Sequence, residues 1–111
     1  MVMPGPAKHL TIYIDEIDRL KEKPLLEAIL AFLYKNGISG ASVFRGVTGF
    51  GGDGVVHRAR LLELAENLPL KIEVVESAEK LDPILPDLLQ MVGKGLIEVR
   101  DTTILKVSGK D

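Results

Sequence analysis

Hydrophobic and polar residues alternate strictly over residues 9–15, HLTIYID: Leu10, Ile12 and Ile14 fall on one side, His9, Thr11, Tyr13 and Asp15 on the other. A period of two belongs to an extended chain with one buried face, so this segment predicts a strand. The charged run DEIDRLKEK follows as a connection. Pro24 then suits the first turn of a helix, where a missing N–H loses no partner. Leu25, Ile29, Phe32 and Leu33 recur at helical spacing until Asn36 and Gly37 supply a stop.

Residues 41–50, ASVFRGVTGF, are rich in β-branched and aromatic side chains and predict a second strand that runs into a glycine-rich loop. LKIEVVES, with Leu70, Ile72 and Val74 on one face, predicts a third. Residues 55–67 between them fit either a short helix or an extension of the third strand, and the strand is preferred. Ser77 is placed to cap a second helix with a core stripe of Leu81, Leu85, Leu88, Leu89 and Val92. Pro83 and Pro86 fall inside that stripe, and each removes a helix hydrogen bond, so the helix should be bent or in two pieces. The glycines around Lys94 end it, and LIEVRDTTILKV predicts a last strand with a break near Asp101.

The order β-α-β-β-α-β is that of a ferredoxin-like α+β domain: a four-stranded antiparallel sheet with two helices on one face. All 111 residues are expected to form one such domain, with residues 1–7 as a flexible N-terminus and residues 51–58 as a mobile loop. The second face of the sheet needs a cover, and another copy of the chain can supply it while protecting the strand edges.

Composition narrows the function. Apolar residues are 46% and charged residues 27%, a globular balance, and the net charge of −2 argues against a broad nucleic-acid surface. Aromatics at 5% leave only Tyr13, Phe44 and Phe50 on the strands, too few for the base-stacking platform by which this fold binds RNA. With no cysteine, disulfides, thiolate metal sites and cysteine nucleophiles are excluded. The start MVMPGPAKH lacks the layout of a signal peptide and no apolar run reaches membrane-spanning length, so a cytoplasmic protein without membrane insertion is expected.

Local charge differs from the average. Between residues 41 and 62 Arg45, Arg58 and Arg60 face only Asp53, and glycines crowd the same stretch. Consecutive amides in a glycine-rich turn form a concave nest for an anion, and arginine adds planar, permanently charged donors. The same residues admit plainer uses: glycines as a turn, Phe50 as a core anchor, Arg58 and Arg60 as a solvated face. His9 and His57 have no metal-site spacing, and Asp15, Glu16 and Asp18 read as a solvated connection rather than a calcium loop. His57 with Asp53 and the arginines is the best set for phosphoester cleavage, but no spacing holds those groups together.

Three stretches carry a resemblance: VTGFGGDG on the second strand, LPLKIEVVES on the third and MVGKGLIEVRDTTILKV at the end. Over residues 8–107 the chain resembles the PII-like family catalogued as domain of unknown function 190, which is similar to the PII nitrogen-signalling proteins. The resemblance implies a non-enzymatic homotrimeric regulator that binds adenine nucleotides between subunits. It also implies that a loop after the second strand contacts a protein target such as a membrane transporter or enzyme. Gly49, Phe50 and Gly51 stand where PII has the base of that loop, and Gly93, Lys94 and Gly95 match its second nucleotide-holding loop. Lys106 lies near a phosphate-contacting basic residue and Ser42 near a hydroxyl residue that meets the base; Arg45 joins them as a cation of the second strand. Gly52, Asp53, Gly54, His57 and Arg58 would form the partner loop. Gly52 and Asp53 replace the basic residue and glutamine of PII, which argues against 2-oxoglutarate sensing, and the loop has no tyrosine to be uridylylated. The alternatives are a metal-binding trimer resembling the divalent-cation-tolerance proteins and, behind it, a phosphoester-cleaving enzyme.

Overall fold

The computed structural model describes residues 2–50 and 67–108. The main sheet contains β1 (Gly5–Asp15), β4 (Ser42–Arg45), β5 (Pro69–Glu76) and β6 (Leu96–Ile104) in the order β4-β5-β1-β6, every neighbour antiparallel. β1 and β5 are flanked on both sides, so their apolar alternation is fully used: Leu10, Ile12, Ile14, Leu70, Ile72 and Val74 are all buried. The helix α1 (Leu25–Lys35) lays Leu25, Ala28, Ile29 and Leu33 on that face. The second helical segment adds Leu81, Ile84 and Leu88, completing one core between sheet and helices. This is the ferredoxin-like α+β arrangement that the order of elements predicts.

The second helical segment is in pieces: α2 (Ala78–Leu81), a 3-10 turn (Asp82–Ile84) and α3 (Leu85–Met91). Ser77 caps the first piece, its hydroxyl accepting from the Lys80 N–H. Pro83 and Pro86 each occupy the first turn of a new piece, where no helical N–H is needed. The 3-10 turn winds more tightly than an α-helix, so it rotates the apolar stripe. Ile84 is thereby turned into the core and Leu89, expected there, is exposed.

Other boundaries differ from expectation. β1 begins at Gly5, and residues 5–7, expected to be flexible, pair with Thr102 to Ile104 of β6. No break occurs at Asp101, which stands opposite Lys8 within continuous β6 and accepts from its ammonium at 2.8 Å. The sheet surface accommodates the charge by pairing it rather than by interrupting the strand. The connection after β1 holds a small hairpin, β2 (Arg19–Leu20) with β3 (Lys23–Pro24), turned by Lys21 at φ 57°. Inside it the Arg19 guanidinium donates to the Glu22 carbonyl. β4 stops at Arg45, five residues short of the predicted end, because its ladder reaches Pro69. There the Gly46 N–H donates to the Pro69 carbonyl at 2.7 Å, but proline has no N–H to return.

The face of the sheet away from the helices carries Tyr13, Phe44, Val75 and Leu96, all exposed. Lys71 lies 5.1 Å from the centre of the Phe44 ring. Among them Thr11 is buried, and its hydroxyl has no hydrogen-bond partner among the described residues. His9, two residues away, is 3.8 Å from the Glu73 carboxylate.

Candidate functional site

The two glycine segments singled out by the sequence fold to one end of the sheet. Residues 46–49 leave β4 beside Pro69, which pairs with Asp15 at the end of β1. Residues 93–95 lead into Leu96, which pairs with Tyr13 of the same strand end. They lie on opposite edges, with β5 and β1 between them. Three inter-strand spacings of about 4.8 Å put the two edge strands about 14 Å apart. Within one chain the two segments therefore do not meet.

Different constraints make the two segments glycine. Gly95 has φ 141°, and a side chain there would begin 2.4 Å from the Tyr13 carbonyl oxygen, so only glycine fits. At Gly46 the obstacle is the Pro69 ring, 2.7 Å from where a Cβ would stand. Nothing crowds Gly93, and Lys94 between the glycines is exposed, so its ammonium is available to an anion.

Arg45, the last residue of β4, is held. Its Nε donates to one oxygen of Glu16 and its Nη2 to the other, both at 3.0 Å, a bidentate pair. The Glu16 N–H donates to the Leu68 carbonyl at 2.9 Å, and the Ile17 N–H to the Asn67 side chain at 3.4 Å. Nearby, the Asp18 carboxylate accepts from the Asp15 N–H and its carbonyl from Leu25. The acidic run after β1, expected to be a solvated connection, is therefore a structural knot tying the ends of β1 and β4 to the start of β5.

The remaining expected residues divide. Ser42 shares with Phe44 the face away from the helices, by register with Glu73 and Lys71, whereas Arg45 belongs to the other face. Phe50 is exposed, which rules out the core-anchor use. Lys106 follows β6 at its far end, beyond the Ile104 to Gly5 pair. Eight strand residues of about 3.4 Å each, roughly 27 Å, separate that end from Leu96. Within one protomer Lys106 does not join residues 93–95. Gly51, Gly52, Asp53, Gly54, His57 and Arg58, together with all but the last residue of the strand-or-helix question over residues 55–67, lie outside the described residues.

Glu76, which sequence reasoning did not single out, is the one buried carboxylate among the described residues. It accepts from the Ser39 N–H at 2.9 Å and the Ser77 N–H at 3.1 Å. Burial works against its charge, but those two amides, the Ser39 hydroxyl and the nearby Lys80 ammonium outweigh it and hold its carboxyl below the usual glutamate range. Lys80 itself donates to the Gly37 carbonyl at 3.2 Å, closing a polar clasp between the end of α1 and the end of β5. A signal was present: the alternation that buries Leu70, Ile72 and Val74 carries Glu76 to the same face.

The model of the DUF190 family, described as an uncharacterized ACR, matches residues 7–104. This chain belongs to that family. A UPF0166 protein of Methanocaldococcus jannaschii is 36% identical over 101 residues, spanning 90% of this chain and 93% of the relative. One from Aquifex aeolicus is 29% identical over 98 residues, spanning 88% and 92%. Among solved structures, the DUF190 chain is similar to CPII of Thiomonas intermedia K12, a nitrogen regulatory PII-like protein. Its complex with ADP, AMP and bicarbonate superposes with a TM-score of 0.67 at 17% identity, over 93% of this chain and 99% of that one. Its complex with ADP, AMP and acetate gives 0.65 at 16%, over 95% and 94%. The DUF190 chain therefore has a PII-like fold. Among its described residues no helix is long and apolar enough to cross a membrane.

Proposed function

We propose that this DUF190 chain is a non-enzymatic, PII-like regulatory protein that assembles as a homotrimer and binds an adenine nucleotide between copies. The observation that carries the reading is the position of the two glycine segments, at one end of the sheet but on opposite edges. A head-to-tail ring of copies brings the β4 edge of one protomer towards the β6 edge of the next, so a site split across one chain is completed by repetition. Ring closure also covers the exposed Tyr13, Phe44, Val75 and Leu96 and gives the edge strands neighbours.

In this reading Gly49, Phe50, Gly51 and Arg45 form one half-site, and Gly93, Lys94 and Gly95 the other. Ser42 serves the base, and Lys106, at the far end of β6, acts from a neighbouring copy. ADP and AMP in the CPII complexes support the choice of nucleotide. Residues 52–58 would carry the signal to a protein target in the cytoplasm. Nucleotide must favour one state of the protein over another for such signalling to work.

The test is thermal unfolding with ADP, AMP and ATP at millimolar concentration, alongside light scattering for mass. A ligand at a hundred times its Kd stabilises the native state by about 2.7 kcal/mol, a rise of about 10 °C in Tm for a chain of this size. A scattering mass of three chains and such a rise support the reading. A monomer, or no rise with any nucleotide, overturns it.

A further inference from the structure

We infer that Glu16 is a built-in competitor for the effector: its carboxylate occupies the guanidinium of Arg45 and thereby sets which anions the β4 half-site accepts. The inference rests on the nucleotide reading above and adds to it a residue and a selectivity. Its basis is the bidentate pair, Nε to Oε2 and Nη2 to Oε1, both at 3.0 Å, which uses the edge of the guanidinium that matches a carboxylate or phosphate. Arg45 is 56% exposed and Glu16 33%, so the pair is reachable from solvent and exchangeable.

Glu16 stays within reach of Arg45 because its backbone is anchored. Its own N–H is bonded to the Leu68 carbonyl, and the next N–H to the Asn67 side chain. An arriving anion therefore has two choices. It displaces the carboxylate from Arg45, or it takes the remaining guanidinium donors while a fixed negative charge stands beside it. Both oppose binding, and both cost a singly charged anion a larger share of its attraction than a multiply charged one. The half-site is thus biased against acetate-like monoanions and towards a phosphate chain, whose charge and several acceptor oxygens outweigh one carboxylate. Glu16 is a specificity-determining residue that touches Arg45 and not the effector.

The experiment measures Kd for ADP and for uncharged adenosine by calorimetry on the wild-type chain, Glu16→Gln, Arg45→Gln and the double variant. Glutamine keeps the shape and one acceptor, so the fold has little to lose. Removing the competing charge of an exposed pair should tighten ADP about three- to fivefold. Adenosine affinity should be unchanged, which a merely structural change at the end of β1 would not achieve. In the Arg45→Gln background Glu16→Gln should tighten ADP far less than in the wild type, since the cation it competes for is gone. Wild-type binding of ADP with equal or weaker binding by Glu16→Gln overturns the competitor role and leaves the nucleotide reading standing. No binding of ADP by the wild type overturns both.

Discussion

The two faces of the sheet follow the same alternation and meet opposite conditions. Towards the helices, Leu10, Ile12 and Ile72 are 0% exposed; away from them, Tyr13 is 42% and Leu96 51% exposed, although the two sets interleave along the same strands. Alternation determines which residues share a face, and only what packs on that face determines whether they are buried. One face is covered by the chain itself. The other is left largely open, with Thr11 buried among its exposed apolar neighbours.

The largest break in that contrast comes from truncating one aliphatic side chain on each face. Ile12→Ala should destabilise the chain by about 2–5 kcal/mol in urea unfolding, because it opens a cavity between sheet and helices. Val75→Ala on the open face should cost far less at concentrations where the protein is monomeric. A charge on that face, as in Tyr13→Glu, should instead abolish the proposed trimer in light scattering while the far-ultraviolet circular dichroism is kept; an unchanged trimeric mass would show that the face is not where copies meet.

Next in size is the glycine contrast at the sheet end. Gly95→Ala forces a side chain into a backbone conformation that costs about 1–3 kcal/mol, before the contact with the Tyr13 carbonyl is counted. Gly93→Ala, with open space around it, should leave the unfolding midpoint almost unchanged. If both behave alike, close approach at Tyr13 is not the reason for glycine at position 95.

Smaller still is the acid sensitivity of the clasp at Glu76. Its folded carboxyl titrates below the unfolded value of about 4.3, so the stability it contributes is complete above that pH. It is lost as pH falls through the folded value. Glu76→Gln should therefore be less stable than the wild type at pH 7, by about 1.5–3 kcal/mol for charge-assisted bonds lost, and the difference should shrink in acid. Smallest is Asp101→Asn. Lys8 holds the Asp101 carboxyl below the usual aspartate range, but the pair is solvated, so Tm should not move measurably at moderate salt.

Much of this was legible in one dimension because it depends on local periods. The alternation of Leu10, Ile12 and Ile14, the stop at Gly37 and the two prolines that divide the second helix act over a few residues and need no distant partner. Errors arose where a distant partner decides. β4 ends at Arg45 because Pro69, 24 places along, cannot donate to it. Asp101 does not interrupt β6 because Lys8 arrives opposite it. Leu89 is a local exception: the short 3-10 turn between the two helical pieces rotates the stripe and turns it outward.

The candidate site divides in the same way. That glycines and cations crowd residues 40–60 and the run around Lys94 is readable in the sequence. The positive balance of that segment, counted along the chain, omits Glu16, because only folding brings the end of β1 to the end of β4. That Arg45 is already paired, that Lys106 is at the far end of β6, and that the two glycine segments occupy opposite edges are consequences of strand order.

By itself the amino-acid order determined the main strands and helices, the membership of each sheet face and the chemistry available, since these follow from side-chain period and backbone propensity within a few residues. Tertiary structure alone decided that Arg45 is paired with Glu16, that Glu76 is buried and charged, and that the two glycine segments stand apart. Those outcomes depend on distances between residues remote in sequence, which hydrogen-bonded strand pairing sets and no local pattern encodes.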